Sequence, residues 1–93
     1  MIRSFASQET EKIFNRQRSR RLPPNIQQVA LRKLRMLNRA VTLQDLRLPP
    51  ANRLEKLSGD RAGQHSIRIN QQWRVCFEWR DGDAYNVEIV DYH

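Results

Sequence analysis

The spacing of apolar residues changes once along this chain, at the pair Pro49-Pro50. From Asn25 onward Ile26, Val29, Ala30, Leu34 and Leu37 recur at steps of three and four, which places them on one face of a helix. After Pro50 the step becomes two. Arg53-Leu54-Glu55-Lys56-Leu57 alternates like a strand, Ser58-Gly59-Asp60 reads as a turn, and Gln64 to Ile69 alternates again. Asn70-Gln71-Gln72 then supplies a hairpin turn before the apolar, β-rich run Trp73 to Trp79. Asp81-Gly82 is a hairpin signal, and Ala84 to Tyr92 closes the chain with Tyr85, Val87 and Ile89 alternating against polar partners. A chain built this way folds as helices followed by an antiparallel meander. The expected class is α+β, with two N-terminal helices packed on one face of a small sheet.

The N-terminal half fills in the same picture. Ile2 to Phe5 is a short opening strand, and Ser7 with Glu9, Thr10 and Glu11 is an N-cap and acidic first turn for a helix running to about Arg18. Its apolar residues are few, chiefly Ile13 and Phe14, so it should lie on the surface. Pro23-Pro24 suits the start of the second helix. Thr42 caps a short helical turn through Leu46, which Pro49-Pro50 ends. Ninety-three residues suffice for one core and one domain, residues 1–93. The single cysteine, Cys76, has no internal partner and lies in an apolar run, which points to a reducing compartment and a cytoplasmic location. Nowhere do about eighteen apolar residues run together, so no membrane partner is expected.

Charge is the strongest compositional signal. The chain holds 17 Lys+Arg against 10 Asp+Glu, a net charge of +7. Residues 1–39 carry ten basic residues against Glu9 and Glu11 alone, while residues 40–93 are nearly balanced. Fourteen of the seventeen cations are arginine, whose planar fork matches phosphate in a bidentate way that ammonium does not. Arg16, Arg18, Arg20 and Arg21 form a basic exit from the first helix, and Arg32, Lys33, Arg35 and Arg39 fall largely off the apolar stripe of the second. Solvated faces that keep a protein soluble are the ordinary reading of such charge. At this density a polyanionic partner, nucleic acid or an acidic protein, is the better one.

Chemistry has few places to reside. There is no glycine-rich phosphate loop, no Cys/His cluster at metal spacing and no Ser-His-Asp arrangement around His65 or His93, so neither a cofactor nor a metal is expected. A polar cluster remains on the strands: Glu55, Lys56, Arg74 and the terminal Asp91-Tyr92-His93. Cleavage of RNA without a metal needs a base for the 2′-hydroxyl, an acid for the 5′-oxygen and a cation for the phosphate. Imidazole can serve as acid or base near neutral pH, and Asp91 with the adjoining α-carboxylate should favour the protonated form of His93, which suits a general acid. A terminal histidine, a tyrosine closing a strand and a strand arginine in a surface ion pair each have an ordinary structural reading as well. Arg74 should point away from Trp73 and Val75, to the other face of the sheet. His65 reads as structural or exposed.

These segments together resemble the HigB-type toxins of the RelE superfamily, found in bacterial type II toxin–antitoxin pairs. The resemblance runs through the opening MIRSF, Leu54-Glu55-Lys56-Leu57-Ser58-Gly59-Asp60-Arg61-Ala62-Gly63, Ser66-Ile67-Arg68-Ile69, Gln72-Trp73-Arg74-Val75, Gly82-Asp83-Ala84-Tyr85 and Val90-Asp91-Tyr92-His93. It implies a RelE-like fold and a ribosome-dependent endoribonuclease that cleaves messenger RNA. The implied partners are ribosomal RNA and a HigA-like antitoxin with a helix-turn-helix domain, operator DNA being met only through the antitoxin. On this chain Arg74 would hold the scissile phosphate and Asp91, Tyr92 and His93 would supply acid, base and positioning groups. Lys56 would add positive charge, and Arg16, Arg18, Arg20, Arg21, Arg32 and Lys33 would contact RNA. Some members carry histidine where Glu55 stands and lysine where Ser58 stands. A carboxylate replaces imidazole as a base but not as a cation, which leaves open which group is acid and which is base. Two other readings stay beside this one: a toxin of the same fold that binds DNA gyrase without nuclease chemistry, and a catalytically inactive partner of the antitoxin.

Overall fold

A computed structural model describes residues 1–92; His93 lies outside the described residues. Two helices, α1 (Gln8–Phe14) and α2 (Pro24–Arg39), precede four strands, β1 (Glu55–Lys56), β2 (His65–Arg68), β3 (Trp73–Arg80) and β4 (Asp83–Asp91). The strands form one antiparallel meander in the order β1-β2-β3-β4, and the helices cover one of its faces. The α+β arrangement expected from the change of period is the one observed.

The core lies between α2 and the sheet. Ile26, Ala30, Leu34 and Leu37 of α2 are buried against Ile67, Val75, Phe77, Ala84, Val87 and Ile89. Val75 and Phe77 stand two apart on β3, as a strand requires, but Ala84 and Val87 stand three apart on β4. The ladder absorbs the odd step. Cys76 faces Glu88 and Glu78 faces Tyr85, so one residue of β3 opposes two of β4, and Asn86 takes up the left-handed backbone at φ 52°. This bulge lets Ala84 and Val87 share the buried face. It also overturns the simple alternation expected for β4, because Tyr85 leaves the core side and its ring lies 4.1 Å from the Arg80 guanidinium carbon.

Two elements are shorter than their sequence patterns suggest. The first helix stops at Phe14 rather than near Arg18. Arg16 adopts φ 62°, its N–H donates to the Ile13 carbonyl, and that of Gln17 donates to the Lys12 carbonyl at 2.8 Å. This is a Schellman closure with arginine in the position that glycine usually takes. The first strand keeps only Glu55 and Lys56 of the alternating stretch 53–57, because Arg53 closes a 3₁₀ turn, Pro50–Asn52, in the left-handed region. The opening residues form two isolated parallel bridges to β4, Ile2 with Ala84 and Phe5 with Val87. They cover the outer edge of β4, and Asp83 ties them down through Arg3 Nε at 3.1 Å. The α1 helix is pinned by Thr10, whose hydroxyl accepts the Ile89 N–H at 2.9 Å.

Arginine at the αL closure carries a steric cost that glycine does not. Replacing Arg16 with glycine should therefore raise stability by about 1 kcal/mol, less the extra chain entropy of the unfolded state. The measurement is the urea midpoint of Arg16→Gly against the parent chain, with an upward shift expected.

Candidate active site

The face of the sheet away from the helices is organised in rows, because residues paired in register present their side chains on the same side. One row runs Glu55, Ser66, Cys76, Glu88 and the next Arg68, Arg74, Val90. Arg74 is the centre of this face and is buried, with 7% of its surface exposed. Sequence reasoning correctly sent it to the far side of the sheet, but the alternative of an exposed strand arginine does not hold: the chain entering β1 at Arg53 and Tyr92 after β4 close over it. Its Nε donates to Ser66 Oγ at 2.7 Å and its Nη2 to the Arg53 carbonyl at 2.6 Å. Nη1 lies 3.8 Å from Glu55 Oε1, a carboxylate that is half-exposed. The Tyr92 ring centroid is 5.6 Å from the guanidinium carbon, close enough for a cation–π contact.

Glu55, Arg74 and Tyr92 are thus brought together. Asp91 opposes Trp73 and so shares the face of Val75 and Ile89, away from Arg74, which corrects its expected place among the acid and base groups; its Oδ2 accepts from Gln72 Nε2 at 3.1 Å, while the Tyr92 N–H donates to the Gln72 carbonyl at 2.6 Å. Gln72 therefore pins the end of β4 beside Arg74. His93, the proposed general acid, falls outside the described residues. Lys56 is not on this face. It opposes His65, which opposes Phe77, so its side chain projects to the helix side of the sheet. Among the described residues no group of three or more His, Cys, Asp or Glu side chains gathers as metal ligands would.

The proposed RNA-binding cations divide as well. Arg16, Arg18, Arg20, Arg21 and Arg32 are exposed. A groove of about 400 Å³ runs between α1 and α2, with Arg16, Arg18 and Arg35 above a floor of Ile13 and Leu31. Lys33 is the correction: it is buried, not part of the outer basic surface. Its Nζ donates to Asn52 Oδ1 at 2.6 Å, and burial, with Arg32 adding to it, draws its pKa below the ordinary lysine value.

Ser66, Gln72, the Arg53 carbonyl and Asn52 are the parts of this site that sequence reasoning missed. Ser66 carried a usable signal, since a serine on an alternating strand, on the same face as Arg74, needs a partner when buried. The Arg53 carbonyl carried none, because its aim depends on backbone dihedrals.

Comparison with known proteins identifies the family and the fold. Residues 3–93 match the family model of the RelE-like toxin of type II toxin–antitoxin system HigB. The chain is 46% identical over 72 residues to Toxin HigB-1 of Vibrio cholerae serotype O1, covering 77% of this chain and 76% of that protein. It is 44% identical over 41 residues to Endoribonuclease HigB of Proteus vulgaris, covering 44% of this chain and 45% of that protein. Among solved structures, the YoeB–YefM complex from Staphylococcus aureus has a chain that superposes with a TM-score of 0.60 at 19% identity, covering 100% of this chain and 98% of that one. At that identity the likeness concerns the fold.

Burial, and after it the Lys56 ammonium, hold His65 below its ordinary pKa of 6.5. The unfolded chain then binds a proton on acidification before the folded chain does, so this residue's contribution lowers stability as pH falls through 6.5 and restores it as pH rises. His65→Gln should flatten that part of the profile. Urea midpoints taken between about pH 7 and about pH 5 for both proteins test it, and parallel profiles would remove His65 from the account.

Proposed function

The chain belongs to the HigB-like family of RelE-like toxins of type II toxin–antitoxin systems, and from that premise we propose that it is an endoribonuclease that cleaves messenger RNA on the ribosome. The observation that carries the proposal is Arg74: a buried guanidinium, oriented by two hydrogen bonds, with Nη1 3.8 Å from a half-exposed carboxylate and its central carbon 5.6 Å from a tyrosine ring. A cation held in this way, partly desolvated and already in place, stabilises charge that develops on a phosphate better than a flexible surface arginine would.

In this reading the 2′-oxygen of the message attacks the adjacent phosphorus, forming a new P–O bond as the bond to the 5′-oxygen breaks. The products are a 2′,3′-cyclic phosphate and a free 5′-hydroxyl. Glu55, the carboxylate on the face of Arg74, takes the proton from the 2′-hydroxyl, and His93 or Tyr92 returns one to the leaving 5′-oxygen. Arg74 meets the non-bridging oxygens. Glu55 stands at the Nη1 end of Arg74 and reaches a phosphate bound there. Lys56, which faces the other side of the sheet, takes no part in the reaction centre and serves only as a peripheral cation.

The exposed arginines give the ribosome its role. They lie on the loop between the helices and on α2, while Arg74 lies on the opposite side of the sheet, so a single bound strand does not cover both. Arg16, Arg18, Arg20, Arg21 and Arg32 anchor the protein to ribosomal RNA as the other face meets the message. Their contribution is screened by salt. Pre-positioning of this kind lowers a barrier by several kcal/mol without further catalytic groups. The toxin's partner is an antitoxin, which we assign to the HigA-like, helix-turn-helix class, and the place of action is the cytoplasm.

The test is expression of the chain from a tight promoter with 5′ ends of message mapped and growth followed. The parent chain should arrest growth with new ends inside translated codons. Arg74→Ala should lower cleavage by about 10²- to 10³-fold, and His93→Ala should also impair it. Growth arrest without new message ends, or with broken DNA, would overturn the proposal. A second expectation concerns salt: replacing Arg16, Arg18 and Arg20 together with glutamine should weaken ribosome binding and reduce its salt dependence, leaving the unfolding free energy within about 0.5 kcal/mol of the parent.

A further inference from the structure

An arginine side chain has several rotatable bonds and places its guanidinium in one orientation only when something holds it. Here two points hold it. The Nε and Nη2 protons on one edge of the group meet Ser66 Oγ at 2.7 Å and the Arg53 carbonyl at 2.6 Å. Two hydrogen bonds on one edge fix the plane and the rotation of the fork together. Nη1, at the other end, is turned toward Glu55 at the longer distance of 3.8 Å.

Each anchor is itself immobilised. Ser66 is fully buried on β2, in register between Glu55 and Cys76. The Arg53 carbonyl is aimed by a backbone at φ 45°, ψ 56°, directly after the 3₁₀ turn that ends at Asn52. Asn52 is fully buried. Its Nδ2 donates to the Leu46 carbonyl at 3.1 Å and the Leu48 carbonyl at 3.3 Å, and its Oδ1 accepts from Lys33 Nζ at 2.6 Å. The residue next to Arg53 in the chain is therefore tied by its side chain to α2 and to the preceding segment.

We propose that Ser66 is a positioning residue for RNA cleavage, locking the Arg74 guanidinium with the Arg53 carbonyl so that its Nη1 end meets the scissile phosphate, and that Asn52 and Lys33 hold that carbonyl in place. The proposal rests on the nuclease reading of Arg74 given above. It differs from a purely structural role for Ser66, in which the hydroxyl only satisfies a buried donor. In that case its loss lowers stability and leaves the chemistry of the folded protein unchanged.

The experiment measures kcat and KM separately on ribosomes programmed with a defined message, with the urea midpoint of each protein recorded alongside. Ser66→Ala should lower kcat by about tenfold or more and change KM by less than about twofold, since it disturbs an interaction used in the transition state. Ser66→Thr, which keeps the hydroxyl, should restore kcat to within about threefold of the parent. In an Arg74→Lys background, which has no Nε–H for Ser66 to accept, Ser66→Ala should add less than about twofold. Ser66→Cys, close in volume and a poorer acceptor, accompanies Ser66→Ala in case the alanine protein unfolds at the assay temperature, with the same loss expected. A parent-like kcat for the folded Ser66 variants, or an equal loss in the parent and Arg74→Lys backgrounds, would overturn the positioning role. Parent-like cleavage by Arg74→Ala is a separate result, which would remove the nuclease reading of Arg74 itself.

Discussion

The two halves of this protein are joined at the side chain of Asn52. Its carboxamide accepts from Lys33 on α2 and donates to the carbonyls of Leu46 and Leu48, and it lies 3.0 Å from Met36 Sδ. Only a group that both donates and accepts meets these demands. Aspartate lacks the donors, and leucine lacks both. Because the segment from Leu46 to Asn52 is tied back on the helix in this way, the chain turns at Arg53 and enters β1 with its carbonyl toward Arg74. A buried polar network of this kind is costly when incomplete. Here each member has a partner, and no buried side-chain nitrogen or oxygen among the described residues is left without one.

The sheet then separates two tasks. The centre of its helix-covered face is apolar, and those residues pack against α2. Its other face holds Arg74, Ser66, Cys76 and Glu88, with Arg61 reaching Glu88 at 3.5 Å and Gln64 at 3.0 Å. Burial raises the Cys76 thiol above its ordinary pKa, so it fills space there and is a poor nucleophile. The bulge at Asn86 keeps both assignments compatible along β4. With one residue fewer, Ala84 and Ile89 would not both reach the core while Glu88 and Tyr92 stayed beside Arg74. Stability and chemistry are thus placed on opposite faces of one strand by a single extra residue.

The positive charge follows the same separation. A net charge of +7 on a body of 32 × 26 × 25 Å disfavours the compact state unless the charges face water or an anion. The arginines Arg16, Arg18, Arg20 and Arg21 of the loop after α1, and Arg32 and Arg39 of α2, do face water. Lys33 gives up hydration for a structural bond, and Arg74 does so at the proposed reaction centre. Both are buried at a cost that their hydrogen bonds offset, and both connect to the same turn through Asn52 and Arg53.

Much of this was legible beforehand. The three- and four-residue spacing of Ile26 to Leu37 determined α2 and its buried stripe, the two-residue spacing after Pro50 determined an antiparallel meander, and the parity of Arg74 against Val75 determined its face. Local periodicity is decided by neighbours in sequence, so it can be read there. The end of α1 at Phe14, the bulge at Asn86 and the left-handed turn at Arg53 were not visible, because glycine, the usual mark of positive φ, is absent from all three. Lys33 was misplaced for a related reason: a lysine just off an apolar stripe is ordinarily solvated, and only the return of Asn52, 19 residues later, supplies the partner that makes burial affordable. Sequence alone therefore determined the layers and the chemical types available to the site. Tertiary structure alone decided which polar atoms meet, because a hydrogen bond between distant segments depends on distances and angles that no local pattern encodes.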